Sequence, residues 1–440
     1  MFNLKYRINN LKLFKFFVLL FKKFFKLGGY MKFLKLLLVA FFGTGLLINT
    51  ALAGGKLVIA SNASDQAPRA AFEEIVAKFQ AANPDIDVQM NTTEHEAFKT
   101  AIRTILSADK GPDVATWFAG NRMAGFVADG LFGDISDVWA QEGLASSMAS
   151  TMASVTFDGK QYALPYSYYQ WGVYYRKDIY DANGISIPKT YDEFLNNCKK
   201  LKAKGIASVA IGTKFLWTAA GWFDYLNLRT NGLDYHIDLM LGKTKYTDEG
   251  VVNTFKNWAR AVEAGCFMDD HQNYSWQEAQ APLINGEAAS YLIGNFIVPN
   301  LPEDTQSQLD FYQFPPINPN LELGEDAPTE IIFMPANAQN VENGKKFMAF
   351  FAQPENLTFM NDVLKQLSPH SGSPAPTDRF LKAGAEMLSK SKTAQFFDRD
   401  TTPEMAKAAM QLMVDFMLEP ESMMDILEEI EEERSRIFGG

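Results

Sequence analysis

Residues 55–90, GKLVIASNASDQAPRAAFEEIVAKFQAANPDIDVQM, contain the pattern that decides the fold. Lys56 to Ala60 is a short apolar run typical of a strand, and residues 68–80 place apolar side chains at helical spacing. Asn83-Pro84 ends that helix, and the apolar residues at 86, 88 and 90 alternate as in a second strand. The order strand, helix, strand predicts an α/β protein whose ligands bind near the carboxyl ends of parallel strands.

The same alternation of strands and helices continues along the chain. The segment DVATW after Gly111-Pro112 predicts a strand, and Thr190 with Glu193 three residues later marks the start of a helix. A further helix is expected over residues 247–264. At 440 residues the chain is too long for one ordinary core, so we expect two α/β lobes.

The charges divide the chain into a basic leader and an acidic body. Residues 1–53 hold nine Lys or Arg and no Asp or Glu, which leaves 32 basic and 52 acidic residues from Gly54 onward. The body therefore has a formal charge near −20 and repels nucleic acid and anionic membrane surfaces. We expect neither as a partner.

The end of the leader has the three parts of a secretory signal peptide. Lys32 and Lys35 precede an apolar run over residues 36–48, and Ala51-Leu52-Ala53 is a small-residue cleavage site. A membrane anchor is the alternative, but the apolar run is short for a bilayer crossing. We expect export to the periplasm, with translation starting at Met31, which begins a complete signal peptide by itself.

Two cysteines, Cys198 and Cys266, remain in the predicted exported part. No Cys follows the cleavage site, so no lipid anchor is expected, and the spacing of the two thiols fits no metal site. In an exported protein they can form a disulfide or remain two buried thiols, and the sequence favours neither state.

The sequence has none of the common catalytic motifs. It lacks a Gly-x-Ser-x-Gly elbow, a phosphate loop, a dinucleotide fingerprint and a His-Glu-x-x-His helix. Its four His, at positions 95, 236, 271 and 370, form no set with metal-ligand spacing. We expect no catalysis, no cofactor and no metal, although the many carboxylates do not exclude the acid pair of a glycoside hydrolase.

Aromatic residues stand beside polar planar side chains at several positions, and this combination is typical of carbohydrate binding. Flat rings pack on the C–H faces of sugars, while amides, carboxylates and guanidinium groups exchange hydrogen bonds with hydroxyls. Core packing is the alternative for each ring. The combinations are Trp117 with Asn121 and Arg122, Tyr169 and Trp171 around Gln170, Trp217 and Trp222 near Asp224, and Asn295 with Phe296.

Four segments carry a family resemblance. They are GPDVATWFAGNRMAGFVADGLFGDI (111–135), YALPYSYYQWGVYYRKDIYDANGISIPKTYDEFLNNCKKLKAKGI (162–206), INGEAASYLIGNF (284–296) and NGKKFMAFFAQPENLTFM (343–360). In this order and spacing they resemble the extracellular solute-binding proteins of carbohydrate ABC transporters, the family 1 proteins that include maltose-binding protein. The resemblance spans about residues 56–366 and is weaker toward the C-terminus.

The resemblance implies an α/β fold of the type II periplasmic-binding-protein class, with two lobes that close on a ligand around a hinge of three crossings. Pro-marked stretches at Leu164-Pro165, 314–316 and 368–376 are the expected crossings. The expected units are a leader over 1–53, an N-terminal lobe of 54–164 plus 316–368, and a C-terminal lobe of 165–315 plus 369–440.

The resemblance also implies which side chains contact the ligand. Rings would stack on sugar faces, and the polar groups would orient hydroxyls. Tyr169 stands where maltose-binding protein has a Glu, and Phe296 replaces a stacking Trp. The expected ligand-binding residues are Ser64, Asp65, His95, Trp117, Asn121, Arg122, Tyr169, Trp171, Trp217, Gly294, Asn295 and Phe296.

The function implied is that of a periplasmic sugar-binding component of an ABC importer. Such a protein captures a mono- or oligosaccharide and delivers it to the permease subunits in the inner membrane, and we expect a monomer. Two alternatives remain open: a different solute, such as a glycerol phosphate ester, a polyamine or iron, and a secreted glycoside hydrolase. Arg122 is the base and Asp65 the acid that we place in the cleft. A phosphate ligand would need several basic groups there, and a polyamine would need several carboxylates.

Overall fold

The computed structural model describes residues 54–141 and 143–439. The predicted signal peptide and the Met31 start lie outside the described residues. From Lys56 onward the described chain forms one compact unit. Over these residues we find no helix with both the length and the hydrophobicity that a bilayer crossing requires.

Strands and helices alternate along most of the described chain. In chain order the strands are β1 (Lys56–Ser61), β2 (Asp87–Thr92), β3 (Val114–Phe118), β4 (Thr156–Phe157), β5 (Lys160–Gln161), β6 (Ala163–Tyr168), β7 (Trp171–Arg176), β8 (Ala207–Val209), β9 (Ala288–Gly294), β10 (Leu309–Tyr312), β11 (Gly324–Asp326), β12 (Thr329–Phe333) and β13 (Lys392–Ala394). The helices of the N-terminal part are α1 (Gln66–Ala82), α2 (His95–Leu106), α3 (Asn121–Ala128), α4 (Ser136–Trp139), α5 (Leu144–Ser147) and α6 (Ala149–Met152). Those that follow β7 are α7 (Lys177–Asn183), α8 (Tyr191–Lys202), α9 (Trp217–Asn231), α10 (Leu233–Met240), α11 (Glu249–Glu263), α12 (Gln280–Asn285), α13 (Glu303–Gln308), α14 (Val341–Phe351), α15 (Pro354–Leu364), α16 (Arg379–Ser389), α17 (Phe397–Asp400), α18 (Pro403–Leu418) and α19 (Met423–Phe438).

The first sheet has five strands in the order β2-β1-β3-β12-β6. β1 is parallel to β2 and to β3, and the helix α1 between β1 and β2 buries its apolar face. This confirms the strand, helix, strand unit predicted from residues 55–90. β12 then runs antiparallel between β3 and β6.

The second sheet has four strands in the order β10-β7-β9-β8. β7 is antiparallel to both β10 and β9, whereas β8 and β9 are parallel. Two-stranded pairings join β11 with β13 and β4 with β5. The described chain is therefore a mixed α/β protein with two main sheets.

Each main sheet has its own hydrophobic core. The buried apolar residues of the first core come from positions 57–166 and 331–364. Those of the second come from positions 169–314 and 380–430. Because each core draws on separated stretches of sequence, the backbone passes between the two cores three times.

Two of these passages lie later in the chain than the Pro-marked stretches at 164–165 and 314–316, whereas the third, between residues 364 and 380, contains the stretch 368–376. The chain stays in the first sheet through Tyr168, because the strand accommodates Pro165 beside Ile331, at a register shift in the β6 and β12 pairing. It returns to the first sheet at Thr329, after Ile317 has packed against the second core. The predicted lobes stay a prediction, and their boundaries do not coincide with those of the two cores. They are 54–164 plus 316–368 and 165–315 plus 369–440.

Local signals in the sequence agree with the geometry. The Thr190 hydroxyl accepts a hydrogen bond from the amide of Glu193 at 3.2 Å and caps α8, as predicted. Cys198 on α8 and Cys266 after α11 form a disulfide. Of the two states that the sequence left open for these thiols, the structure has the disulfide.

Candidate ligand-binding site

A cavity of about 150 Å³ lies between the two cores. Its walls come from loops and helix starts next to the first sheet and from aromatic residues of the second core. Seven of the residues predicted to bind a ligand line it. They are Ser64, Asp65, His95, Tyr169, Trp171, Trp217 and Phe296.

The polar side of the cavity follows β1 and precedes α2. The Asn62 amide after β1 donates to the Thr116 hydroxyl on β3 at 2.9 Å, which fixes the loop that carries Ser64 and Asp65. The Ser64 hydroxyl accepts from the amide of His95, the first residue of α2, at 3.2 Å. This puts the loop and the helix start side by side at the carboxyl end of the sheet, where the parallel topology predicts ligands.

The opposite side of the cavity is a wall of rings from the second core. Trp171 stacks on Phe396 with centroids 5.4 Å apart, and Trp217 contacts both rings edge-on. Phe296 lies between Trp217 and Trp276 at centroid distances of 6.2 and 5.0 Å. A wall of this kind offers flat apolar surface to a ligand.

The short helix α17 brings two charged residues to the cavity. Asp398 forms ion pairs with Lys99 at 2.9 Å and with Arg122 at 3.1 Å. Arg399 pairs with Glu330 on β12 at 3.0 Å. Since α17 packs into the second core while these partners belong to the first lobe's elements, the ion pairs connect both sides of the cavity.

The surroundings fix the protonation of two of these side chains at neutral pH. Burial alone would raise the pKa of Asp398, but Lys99, Arg122 and Arg399 outweigh it and lower this pKa to about 2. Burial and the nearby cations lower the pKa of His95 to about 3. Asp398 is therefore an acceptor-only carboxylate, and His95 is a neutral imidazole that can donate and accept.

Three residues that line the cavity have a buried polar atom with no hydrogen-bond partner in the described chain. These atoms are Trp171 Nε1, Asp398 Oδ1 and Arg399 Nη1. A buried polar atom without a partner is unfavourable, and a ligand hydroxyl that reached it would remove that penalty. The described residues contain no cluster of three or more His, Cys, Asp or Glu with the geometry of a metal site.

Five of the predicted ligand-binding residues lie outside the cavity. Trp117 is fully buried in the first core, where it contacts Phe98 and Phe126. Because successive strand residues point to opposite faces, its neighbour Phe118 lines the cavity instead, which corrects the expectation that Trp117 stacks on a ligand. The other four are Asn121, Arg122, Gly294 and Asn295.

Three of these five residues support the walls from behind. Asn121 donates to the carbonyl of Asp400, and Arg122 pairs with Asp398, so both hold α17. Asn295 accepts from the Tyr174 hydroxyl and donates to the carbonyl of Lys365. Their expected role as direct hydroxyl ligands is thus replaced by contacts within the protein.

Gly294 acts through its small size. A Cβ at this position would come within 2.5 Å of the Phe296 ring and 2.8 Å of the Tyr169 ring. Glycine therefore lets both cavity rings approach the end of β9.

Several residues that line the cavity are not among the predicted ligand-binding residues. They include Phe118, Trp276, Glu330, Phe396, Asp398 and Arg399. The segment FFDRD at 396–400 does have the signal used elsewhere, since aromatic residues stand directly beside acids and a base. It lies beyond residues 56–366, the region of clear family resemblance.

The fold and the cavity define a two-lobed ligand-binding receptor of the type II periplasmic-binding-protein class. A family model described as bacterial extracellular solute-binding protein matches residues 62–358, well over half of the chain. The chain therefore belongs to the bacterial extracellular solute-binding protein family. This confirms the resemblance that the four sequence segments indicated.

Individual relatives agree with this assignment. The bacterial solute receptor AcbH, described as having an exclusive substrate preference for β-D-galactopyranose, has 30% identity and a TM-score of 0.81, covering 88% of this chain and all of its own. A chitin oligosaccharide binding protein has a TM-score of 0.79 at 18% identity, with 86% of this chain and 98% of that chain covered, and supports the fold alone. An uncharacterized ABC transporter extracellular-binding protein of Pyrococcus horikoshii is 25% identical over 338 residues, covering 73% of this chain and 74% of the relative.

Proposed function

We propose that this protein is the sugar-binding receptor of an ABC importer, and that it captures its ligand in the cavity between the two cores. The observation that carries the proposal is the pairing of ring faces with charged hydrogen-bonding groups around one cavity. Trp171 and Phe396 supply the rings, and Asp398 and Arg399 supply an acceptor and a donor. Sugars present apolar C–H faces and hydroxyl groups that match these two features.

The ligand we propose is a single monosaccharide. A cavity needs about 10–15 Å³ to hold one water molecule, so 150 Å³ accommodates on the order of ten groups of that size. This suits one pyranose ring better than a chain of rings. The substrate preference of the relative AcbH for β-D-galactopyranose supports the same size class.

The charges of the cavity favour an uncharged sugar. Its acidic residues outnumber its basic ones, which are Lys99 and Arg399, and both bases already have carboxylate partners. A uronic acid or a sugar phosphate would meet the net negative charge of these carboxylates. Electrostatic repulsion would therefore exclude such anionic sugars from the cavity.

Membership of the family supports a wider role as a transport component. We propose that the protein is exported to the periplasm without a lipid anchor and works as a monomer. There it delivers the sugar to the permease subunits and catalyses no reaction. The acidic body of the chain supports the absence of a nucleic-acid partner, because it repels phosphate backbones.

A thermal-shift screen of the purified protein tests the proposal. A ligand that binds only the native state at about one hundred times its Kd raises the free energy of unfolding by about 2.7 kcal/mol. We expect D-galactose or another neutral monosaccharide to raise the melting temperature, and D-galacturonate, glycerol phosphate and spermidine to leave it unchanged. A shift with one of those three and none with sugars would refute the proposal, as would release of reducing sugar from an oligosaccharide.

Two variants locate the binding site in this assay. D398N should abolish the sugar-dependent shift, because the amide is a weaker acceptor and loses the charge that Lys99 and Arg122 hold in place. D137N is the matched control, since Asp137 also pairs with a lysine, Lys345, but is exposed and away from the cavity. It should keep the full shift.

A further inference from the structure

The backbone at Leu216 adopts a conformation that residues with a side chain rarely take. Its φ is 68° and its ψ is −42°. The amide of Trp217 donates to the carbonyl of Phe215 at 2.8 Å, which closes a γ-turn around Leu216. A γ-turn with positive central φ is rare and strained in a residue other than glycine.

The turn joins two rings of the cavity. Phe215 before it and Trp217 after it both line the cavity, and Trp217 is also the first residue of α9. Phe215 is 38% exposed and stands at the rim, whereas Trp217 contacts the rings of Trp171 and Phe396 in the wall. The conformation of Leu216 therefore sets where both rings lie.

Several hydrogen bonds hold the strained turn in place. The Thr218 hydroxyl donates to the carbonyl of Gly212 at 2.6 Å, across the turn. The amides of Thr213 and Lys214 donate to the carbonyls of His271 and Tyr274 at 2.9 and 3.0 Å. Strain of this kind persists only where the surroundings enforce it, and it concentrates at functional sites.

The supporting segment also belongs to the cavity wall. A Cβ on Gly212 would lie 2.1 Å from the carbonyl oxygen of Ser275, so the backbone before the turn packs directly on the segment that carries Trp276 and Gln277. Trp276 and Gln277 line the cavity as well. The segment that carries Trp276 and Gln277 therefore both holds the strained turn at Leu216 in place and forms part of the cavity wall.

We propose that Leu216 is a positioning residue for the ligand. Its strained turn, held closed by Thr218, points Phe215 and Trp217 toward the bound sugar. The role in sugar binding rests on the proposed function, but the strain and its effect on Trp217 can be measured without ligand.

The first experiment compares L216G with L216A. Both variants lose the leucine side chain, but only glycine adopts the positive φ without strain. We expect L216G to melt at a higher temperature than L216A, although glycine is ordinarily the less stabilising of the two because its unfolded chain has more conformational freedom. If L216A melts higher, the strain at position 216 is refuted.

The second experiment releases the turn with T218V and observes Trp217 by 19F NMR of protein labelled with fluorotryptophan. The chain has seven tryptophans, and W217F assigns the signal of interest. T218V should shift or broaden the Trp217 resonance. T218V/L216G should restore it, because glycine at position 216 removes the strain and the turn then stays closed without the Thr218 hydrogen bond. An unchanged resonance in T218V, or one that L216G does not restore, would overturn the proposal.

The same variants give a readout in D-galactose affinity. T218V should weaken binding about tenfold, the equivalent of one ring interaction, and T218V/L216G should recover most of it. T254V is the matched control, since Thr254 is another buried helical threonine whose hydroxyl donates to a glycine carbonyl, that of Gly250, and it does not line the cavity. It should lower stability and leave affinity unchanged.

Failures of the two proposals are distinguishable. If the unmodified protein binds no sugar, the proposed function fails, while the melting temperatures and the Trp217 resonance still decide the role of Leu216. If the sugar binds and T218V weakens it no more than T254V does, the positioning role fails and the proposed function stands.

Discussion

The guanidinium of Arg399 lies over the ring of Phe118, with its central carbon 4.0 Å from the ring centroid. Phe118 on β3 is the cross-strand neighbour of Glu330 on β12, and Arg399 also pairs with Glu330 at 3.0 Å. One side chain carried by α17 thus binds two adjacent residues of the first sheet. Because α17 packs into the second core, this contact joins the two sides of the cavity through a residue that lines it.

We predict that R399K weakens D-galactose binding by about tenfold or more. Lysine keeps the charge but lacks the planar fork that stacks on Phe118 while it pairs with Glu330, and such cation–π contacts contribute about 2 kcal/mol or more when desolvated. Titration calorimetry measures the Kd. R436K is the control, because Arg436 also pairs with a glutamate, Glu433, but is exposed. Equal affinity of R399K and the unmodified protein would argue against a role of Arg399 in the site.

Two rings of the cavity should respond differently to truncation. Trp171 is 1% exposed and stacks on Phe396, so W171A should lower the free energy of unfolding by about 3–5 kcal/mol. Phe215 is 38% exposed at the rim, so F215A should cost less than about 1 kcal/mol of stability and still reduce sugar affinity. Urea unfolding and calorimetry on both variants check this. A large loss of stability in F215A would place that ring in the core.

We predict that stability falls as the pH rises above about 4, in part because of Asp326. Burial, and then the nearby Glu325 and Asp400, raise the pKa of Asp326 well above its usual range. Above about pH 4 the unfolded chain loses the Asp326 proton, whereas the folded state keeps it. Keeping this proton becomes more costly as the pH rises, so the free energy of unfolding falls. Urea unfolding between pH 5 and pH 8 should show a shallower decline in D326N than in the unmodified protein.

The control for this prediction has a shift of the opposite sign. Hydrogen bonds from the side chain and amide of Ser136 lower the pKa of Asp134 in the folded state. The contribution of Asp134 to folding stability is therefore complete above its pKa in the unfolded chain, and it is lost only as the pH falls through its pKa in the folded state. D134N should leave the slope between pH 5 and pH 8 unchanged. If D326N and D134N gave the same slope, the raised pKa of Asp326 would be contradicted.

The disulfide should stabilise the second core without affecting the ligand. Cys198 and Cys266 are separated by 68 residues, and closing a loop of this length is worth about 2–4 kcal/mol. We predict that the variant C198S/C266S unfolds at lower urea concentration and binds sugar with unchanged affinity, since neither cysteine lines the cavity. Unchanged stability would mean that the bridge contributes nothing, and a change in Kd would couple it to the site.

Local sequence patterns predicted several elements of the fold. The apolar spacing of residues 68–80 and the proline after Asn83 predicted α1, and the Thr190 cap predicted α8, because these signals act within a few residues. The first two passages between the cores lie later in the chain than the Pro-marked stretches predicted. A proline in β6 is tolerated beside a register shift supplied by a distant strand, β12, and the local sequence does not contain that partner.

The site shows the same division between local and distant information. Asp65, Tyr169 and Trp217 line the cavity, and the family resemblance predicts all three from positions that follow a strand or the Pro165 crossing. Ligand binding by these residues stays a prediction. Trp117 was misplaced because the strand β3 is buried on both faces, so its pattern does not say which ring faces the cavity. Asp398 and Arg399 enter from a segment far along the chain, and only tertiary packing brings them to Lys99 and Glu330.

The central claim is that one neutral monosaccharide binds between the ring wall and the Asp398–Arg399 pair, and titration calorimetry with D-galactose, maltotriose and D-galacturonate on the purified protein tests it most directly. We predict one-to-one binding of the neutral monosaccharide, loss of that binding in D398N, and no heat from the trisaccharide or the uronate. Binding of maltotriose or galacturonate in preference to every neutral monosaccharide would contradict the account.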